Sequence, residues 1–167
     1  MTRSDQTVIS RGHELVLTRT FDAPRELVFA AYSSCEHIKK WWGPRSWPVH
    51  ECSMDFRVGG VWHYCMRGPN EGDESWGRAI YDEIDAPQRI AYTDAFSDAE
   101  GNVNEAMPQT KSSVEFATEG DRTRLTMTAT YASPEELQKV IDMGMIPGIT
   151  ETLDRLDEHL AEQPTGA

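Results

Sequence analysis

The sequence is short of several things that would mark a particular chemistry. It has only three cysteines, Cys35, Cys52 and Cys65, and no C-x-x-C pair. An odd count without paired spacing reads neither as a disulfide framework nor as a zinc site, so three buried thiols in a reducing compartment are expected. No apolar run approaches the ~18 residues of a membrane span. The opening MTRSDQTVIS lacks the apolar core of a secretory signal. The cytoplasm is therefore the expected location, and no membrane partner is expected. Basic residues are scarce: 16 Lys and Arg stand against 28 Asp and Glu, a net charge of −12. A nucleic-acid backbone needs a basic stripe. The longest basic cluster is Lys39-Lys40, so nucleic acid is not an expected partner.

Catalytic signatures are missing too. HECSM opens like H-E-x-x-H, but Met54 holds the second ligand position and the run alternates like a strand. Glu51 adjoins His50 without a C-x-x-C elsewhere, which fails the zinc deaminase pattern. Were Gly101 the sixth position of an EF-hand loop, Phe96 would be first and Met107 twelfth, which is no calcium site. No Walker A, G-x-G-x-x-G or G-x-S-x-G occurs. His13, His37, His50, His63 and His159 are scattered without a paired motif. No cofactor or metal is expected, and no catalytic residue stands out.

What is there suits one domain: 167 residues, 38% of them hydrophobic. Residues 1–12 are polar and read as a flexible segment. From about His13, Leu15, Leu17 and Phe21 alternate with Val16, Thr18 and Thr20 as a first strand. FDAPRELVFAAY then changes period, with Pro24 in a first helical turn. Ser33 and Glu36 make a capping-box pattern for a second short helix, which runs into Trp41-Trp42 and stops at Gly43-Pro44. About six strand-like runs follow, the last two joined at Glu119-Gly120-Asp121. Ser133-Pro134-Glu135-Glu136 caps a short helix, which Gly144, Pro147 and Gly148 interrupt. Pro147 is expected to open the last helix. Its apolar stripe is Ile149, Leu153, Leu156 and Leu160, with Glu151, Asp154, Asp157 and Glu158 on a solvated face. Strands without interleaved helices argue for an α+β fold: a curved antiparallel sheet wrapped around a long C-terminal helix, with two short helices after the first strand.

The stretches LTRTFDAPRELVFAAY, EHIKKWWGP, DFRVGGVWHYCMRGP, EIDAPQRIAYTDAFSDAEGN, TRLTMTATYASPEELQKVIDMGM and ITETLDRLDEHL occur in that order over nearly the whole chain. As a set they resemble the START-like (SRPBCC) helix-grip superfamily, and within it the branch of activator of heat-shock protein 90 ATPase homologue-like proteins. The resemblance implies a single START-like domain over residues 13–162, with a hydrophobic cavity between sheet and C-terminal helix. Eukaryotic proteins of this branch carry a separate chaperone-binding N-terminal domain; with a first strand near His13, no such domain is expected here.

The inward faces of the strands are rich in aromatic and methionine side chains, which by pattern alone read first as core. With the resemblance, the expected cavity residues are Trp41, Trp42, Met54, Phe56, Trp62, Tyr64, Met66, Tyr92, Phe116, Met143, Ile149 and Leu153. His50 and Asp94 are the polar candidates. Adjacent residues on a helix point about 100° apart, so Trp41 and Trp42 are expected to serve different faces. The implied function is binding of a small hydrophobic or aromatic molecule, linked to stress response. One alternative is a co-chaperone-like activator of heat-shock protein 90 ATPase, with a chaperone as partner. The other is a polyketide cyclase or hydratase-like enzyme using His50 or Tyr64. Nothing in the pattern chooses between monomer and homodimer.

Overall fold

In the computed structural model, which describes residues 6–163, the chain runs β1 (Gln6–Arg11), β2 (Glu14–Phe21), α1 (Arg25–Ala30), α2 (Cys35–Trp41), β3 (Val49–Met54), β4 (Val61–Arg67), β5 (Glu74–Asp85), β6 (Arg89–Ser97), β7 (Thr110–Glu119), β8 (Arg122–Thr130), α3 (Pro134–Asp142) and α4 (Met145–Ala161). The strands form one antiparallel sheet in the order β1-β2-β8-β7-β6-β5-β4-β3. Register breaks between Val49 and Glu51 on the edge strand β3 and between Tyr81 and Glu83 on β5 interrupt the ladder, as bulges that bend a sheet do. This is the expected curved sheet with a long C-terminal helix.

Period-two alternation sets the inner face. Leu15, Leu17, Arg19 and Phe21 of β2 are buried, and the residues between them are half-exposed. On β7 the buried positions are Thr110, Ser112, Val114 and Phe116. Residues 6–11 correct the expectation of a loose N-terminal segment. They pair with β2 from Gln6 opposite Arg19 to Arg11 opposite Glu14. The chain turns at Gly12, whose φ of 61° favours glycine. The strand carries little core signal because most of its side chains are exposed. Backbone pairing at a sheet edge holds it. Residues 1–5 of that segment lie outside the described residues.

Two helix starts also differ from expectation. Ser34, not Ser33, caps α2: its hydroxyl accepts from the His37 backbone N–H. Ser33 instead donates to the Ala30 carbonyl at 2.8 Å. Helix α4 begins at Met145, two residues ahead of Pro147, after Gly144 turns the chain at φ 92°. Pro147 falls in the first turn, where its missing N–H has no intrahelical partner to lose.

Cys35 and Cys52 are joined in a disulfide. This overturns the expectation of three free thiols; only Cys65 is free, and it is buried. The two cysteines are 17 residues apart and meet because α2 packs beside the edge strand β3. Closing a loop of this length disfavours the unfolded chain by about 3 kcal/mol. With two of the three cysteines paired, the thiols do not point to a reducing compartment.

Helix α4 is seated by its C-terminal half. Leu153, Leu156 and Leu160 are buried in one cluster with Leu17, Phe21, Ile38 and Trp41. Its acidic face is not simply solvated, which corrects the sequence reading. The Arg19 side chain, 3% exposed, donates to Asp154 Oδ1 at 2.8 Å and also to Asp157. The same guanidinium donates to Gln6 Oε1 at 2.9 Å, and the Gln6 amide donates to Thr150. One arginine on the sheet's inner face thus ties β1, β2 and α4 together. Removing one partner of a buried ion pair leaves the other charges desolvated and unpaired. We expect Arg19→Met to lower unfolding stability by about 3 kcal/mol in urea titrations. Stability within a few tenths of a kilocalorie of wild type would show that the pair does not seat the helix.

Candidate functional site

The N-terminal half of α4 meets the sheet at separate points, Thr150 against Gln6 of β1 and Met145 and Ile146 against the cluster of Leu15 and Ala129, and leaves space between them. Beneath it lies a cavity of about 370 Å³, adjoined by one of about 200 Å³ that extends along β5 to β8. Trp42, Tyr64, Met66, Tyr92, Met127 and Ile149 line both chambers. The larger volume falls at the lower end of the range of small-molecule sites.

The two tryptophans divide as their geometry requires. Trp41, the last residue of α2, is fully buried; its indole N–H donates to the Ala31 carbonyl at 2.9 Å, and Tyr32 meets it edge-on. It contributes to the wall of the larger chamber only. Trp42 has left the helix, with ψ 139°. Its ring packs edge-on against Trp62 at 4.9 Å and Tyr64 at 6.0 Å. The chain cannot carry a side chain at Gly43, where φ is 89° and a Cβ would fall 2.4 Å from the Trp47 carbonyl oxygen. Arg155 of α4 donates to the carbonyls of Lys40, Trp42 and Gly43 at 2.8 to 3.1 Å. These are the unpaired carbonyls of a helix end, which a cation satisfies. The wall that carries Trp42 is therefore fixed to the helix that roofs the cavity.

Tyr64 of β4 stands opposite Gly77 of β5. A Cβ at residue 77 would lie 2.5 Å from the Tyr64 hydroxyl oxygen, so glycine lets the tyrosine lie against the sheet. Trp42 hydrogen-bonds that hydroxyl. Burial raises the Tyr64 and Tyr92 phenols above their ordinary value, and the charge of nearby Asp94 adds to the effect.

Asp94 of β6 lines the smaller chamber. The Thr110 hydroxyl donates to its carboxylate, and Tyr131 also hydrogen-bonds Thr110. The carboxyl is half-buried and opens onto the cavity, and its partial loss of hydration disfavours the charged form. Burial raises its pKa to about 7, with the Thr110 hydrogen bond opposing the shift. None of the described residues lining either chamber is Lys, Arg or His.

Of the residues expected at the cavity, Trp42, Tyr64, Met66, Tyr92 and Ile149 line both chambers, and Trp41, Met143 and Leu153 the larger one. Met143 is 55% exposed, which puts it at the rim. Met54, Phe56, Trp62 and Phe116 line neither and belong to the core. The reason is α1: its Phe29 packs edge-on against Phe56 at 6.0 Å and Phe116 at 5.3 Å, filling that end of the sheet. Met54 packs against the same cluster, and Trp62 is buried behind Trp42 and Tyr64. His50 is exposed on β3, at the register break, and is not a cavity group. Sequence reasoning missed Thr110, Ser112 and Tyr131. Thr110 and Ser112 are small polar residues in phase with Val114 and Phe116 on the inner face of β7, and Tyr131 continues the phase of Leu125 and Met127 on β8.

An eight-stranded antiparallel sheet gripping a C-terminal helix, with a cavity under that helix, defines a helix-grip protein. The chain belongs to the family of Activator of Hsp90 ATPase homolog 1-like proteins, which it matches over residues 22–161. It is similar to a solution structure of a protein from Arthrobacter aurescens, at 29% identity and a TM-score of 0.87 over 96% of this chain and 94% of that one. It is also similar to the crystal structure of protein Ms6760 from Mycobacterium smegmatis, at 31% identity and a TM-score of 0.82 over 95% and 99%. The AHSA1 protein from Silicibacter pomeroyi shares the fold at 22% identity, with a TM-score of 0.71 over 89% and 97%. None of the curated proteins matches the chain in sequence. Among the described residues no helix is long and apolar enough to cross a membrane, and no three His, Cys, Asp or Glu side chains group as metal ligands.

The Asp94 environment has a measurable consequence. A carboxyl raised in the folded state holds a proton that the unfolded chain has already released, so stability falls as pH rises from about 4 to about 7. Asp94→Asn cannot ionise. We expect it to exceed wild type in stability at pH 8 by roughly 2–4 kcal/mol, with the gain gone by pH 4. Urea titrations at both pH values check this; equal stability of the two proteins at pH 8 would contradict it.

Proposed function

We propose that this protein binds a small hydrophobic or aromatic molecule in the cavity between its sheet and the N-terminal half of α4. The observation that carries the reading is an apolar cavity of about 370 Å³ held open beside a fully packed core. Its walls pair rigid aromatics, Trp42, Tyr64 and Tyr92, with deformable methionines, Met66, Met127 and Met145. Burial of the ligand supplies affinity, and the few polar groups of the smaller chamber fix its orientation. Family membership supports a ligand-binding or chaperone-activating role in general terms. The co-chaperone alternative draws on that membership alone. The enzyme alternative loses His50 to solvent but keeps Tyr64 and adds Asp94.

The test uses native mass spectrometry and ligand-observed NMR with a panel of bicyclic aromatics, on wild type and Ile149→Trp. Ile149 lines both chambers and is only half-buried, so a larger side chain fills the cavity without entering the core. Wild type is expected to retain 1:1 complexes and the variant to lose about tenfold or more in affinity, the equivalent of about 1.4 kcal/mol. Equal binding by both proteins would place the ligand elsewhere, and no binding by wild type would remove the proposal.

A further inference from the structure

We propose that the cavity selects hydrophobic organic amines, with the ammonium group against Asp94 and the apolar body between Trp42, Tyr64 and Tyr92. The inference rests on the cavity-binding reading and names the ligand class for it.

Asp94 is the only carboxylate among the described residues lining either chamber, and no Lys, Arg or His joins it there. Its protein partner is a neutral hydroxyl, that of Thr110. A carboxylate removed from water needs a cation, or it gives up its charge. Since the walls supply no cation, a ligand can. Trp42, Tyr64 and Tyr92 line the same chamber, and aromatic rings attract cations most strongly when water is excluded. The opposite ligand charge is disfavoured by the same inventory. A fatty-acid carboxylate would find no basic partner in the cavity and would face Asp94. The net charge of −12 acts at longer range in the same direction, raising the local concentration of cations.

The groups facing Asp94 keep the titration simple. From β4, β6 and the segment after β8 come Tyr64, Tyr92 and Tyr131, all with phenols held above their ordinary value. From β7 come Thr110 and Ser112; from α3 and α4 come Val140, Met145 and Ile149, none of them charged. Between pH 5 and pH 8, Asp94 is thus the cavity group whose ionisation governs recognition of a permanently protonated amine.

The test compares three probes of one shape: 2-naphthylmethylamine, 2-naphthylmethanol and 2-naphthoate. Calorimetry or NMR titration at pH 8 is expected to rank amine over alcohol by roughly tenfold or more, with the carboxylate weakest. Asp94→Asn is expected to erase the difference between amine and alcohol at pH 8. Should that variant fail to fold, the wild-type preference for the amine still has to shrink on going from pH 8 to pH 5. The amine inference is overturned if the alcohol binds wild type as well as the amine does at pH 8. It is equally overturned if the preference survives in Asp94→Asn or persists unchanged at pH 5. In those cases cavity binding stands. If none of the three probes binds, the cavity reading itself is wrong and the amine inference falls with it.

Discussion

The structure turns on how α4 is held: tightly along its C-terminal half, and over a cavity along part of the other. Arg19 reaches from the centre of β2 to Asp154 and Asp157, while Leu153, Leu156 and Leu160 fill the core beneath. One turn earlier the helix is held without an ion pair, by the hydrogen bond from Gln6 to Thr150. Gly144 turns the chain out of α3, and Met145, Gly148 and Ile149 line the cavity while Met145 and Ile149 also pack at its edges. Were the helix seated along its whole length, dense packing would close the cavity. Were it seated nowhere, the sheet would lose its cover.

The second support comes from the opposite wall. Arg155 takes the carbonyls at the end of α2, and the disulfide between Cys35 and Cys52 ties the start of α2 to β3. Trp42 is thus carried on a segment fixed at both ends, with its ring packed against Trp62 and Tyr64. Such a wall is largely formed before any ligand arrives, which limits the ordering that binding requires. Set into this apolar frame, Asp94 has no Lys, Arg or His beside it among the described residues that line the cavity.

Much of the architecture was legible in the sequence because it follows from periodicity. Alternation gave the inner faces of β2, β4 and β6, and the spacing of Leu153, Leu156 and Leu160 gave the seated face of α4. The WWGP break and its glycine marked the change of direction at Trp42. What stayed hidden depends on contacts between distant segments. Nothing local announces that Cys35 meets Cys52, since the pair forms only when α2 lies beside β3. Arg19 sits in a run read as alternating apolar and polar, yet faces inward because two carboxylates of α4 wait there. The limit of the cavity was hidden too. Phe56, Phe116 and Tyr92 look alike in pattern, and only the position of Phe29 on α1 decides that the first two are core.

The central claim is that the space under the N-terminal half of α4 is the place where small apolar molecules reside. It is tested most directly with protein carrying 13C-labelled methionine methyl groups and bound 2-naphthylmethanol. Intermolecular nuclear Overhauser contacts are predicted to Met66, Met127 and Met145, which line both chambers, and not to Met54, which packs in the core. Contacts confined to other surfaces, with the Met66, Met127 and Met145 signals unmoved at saturation, would contradict the account.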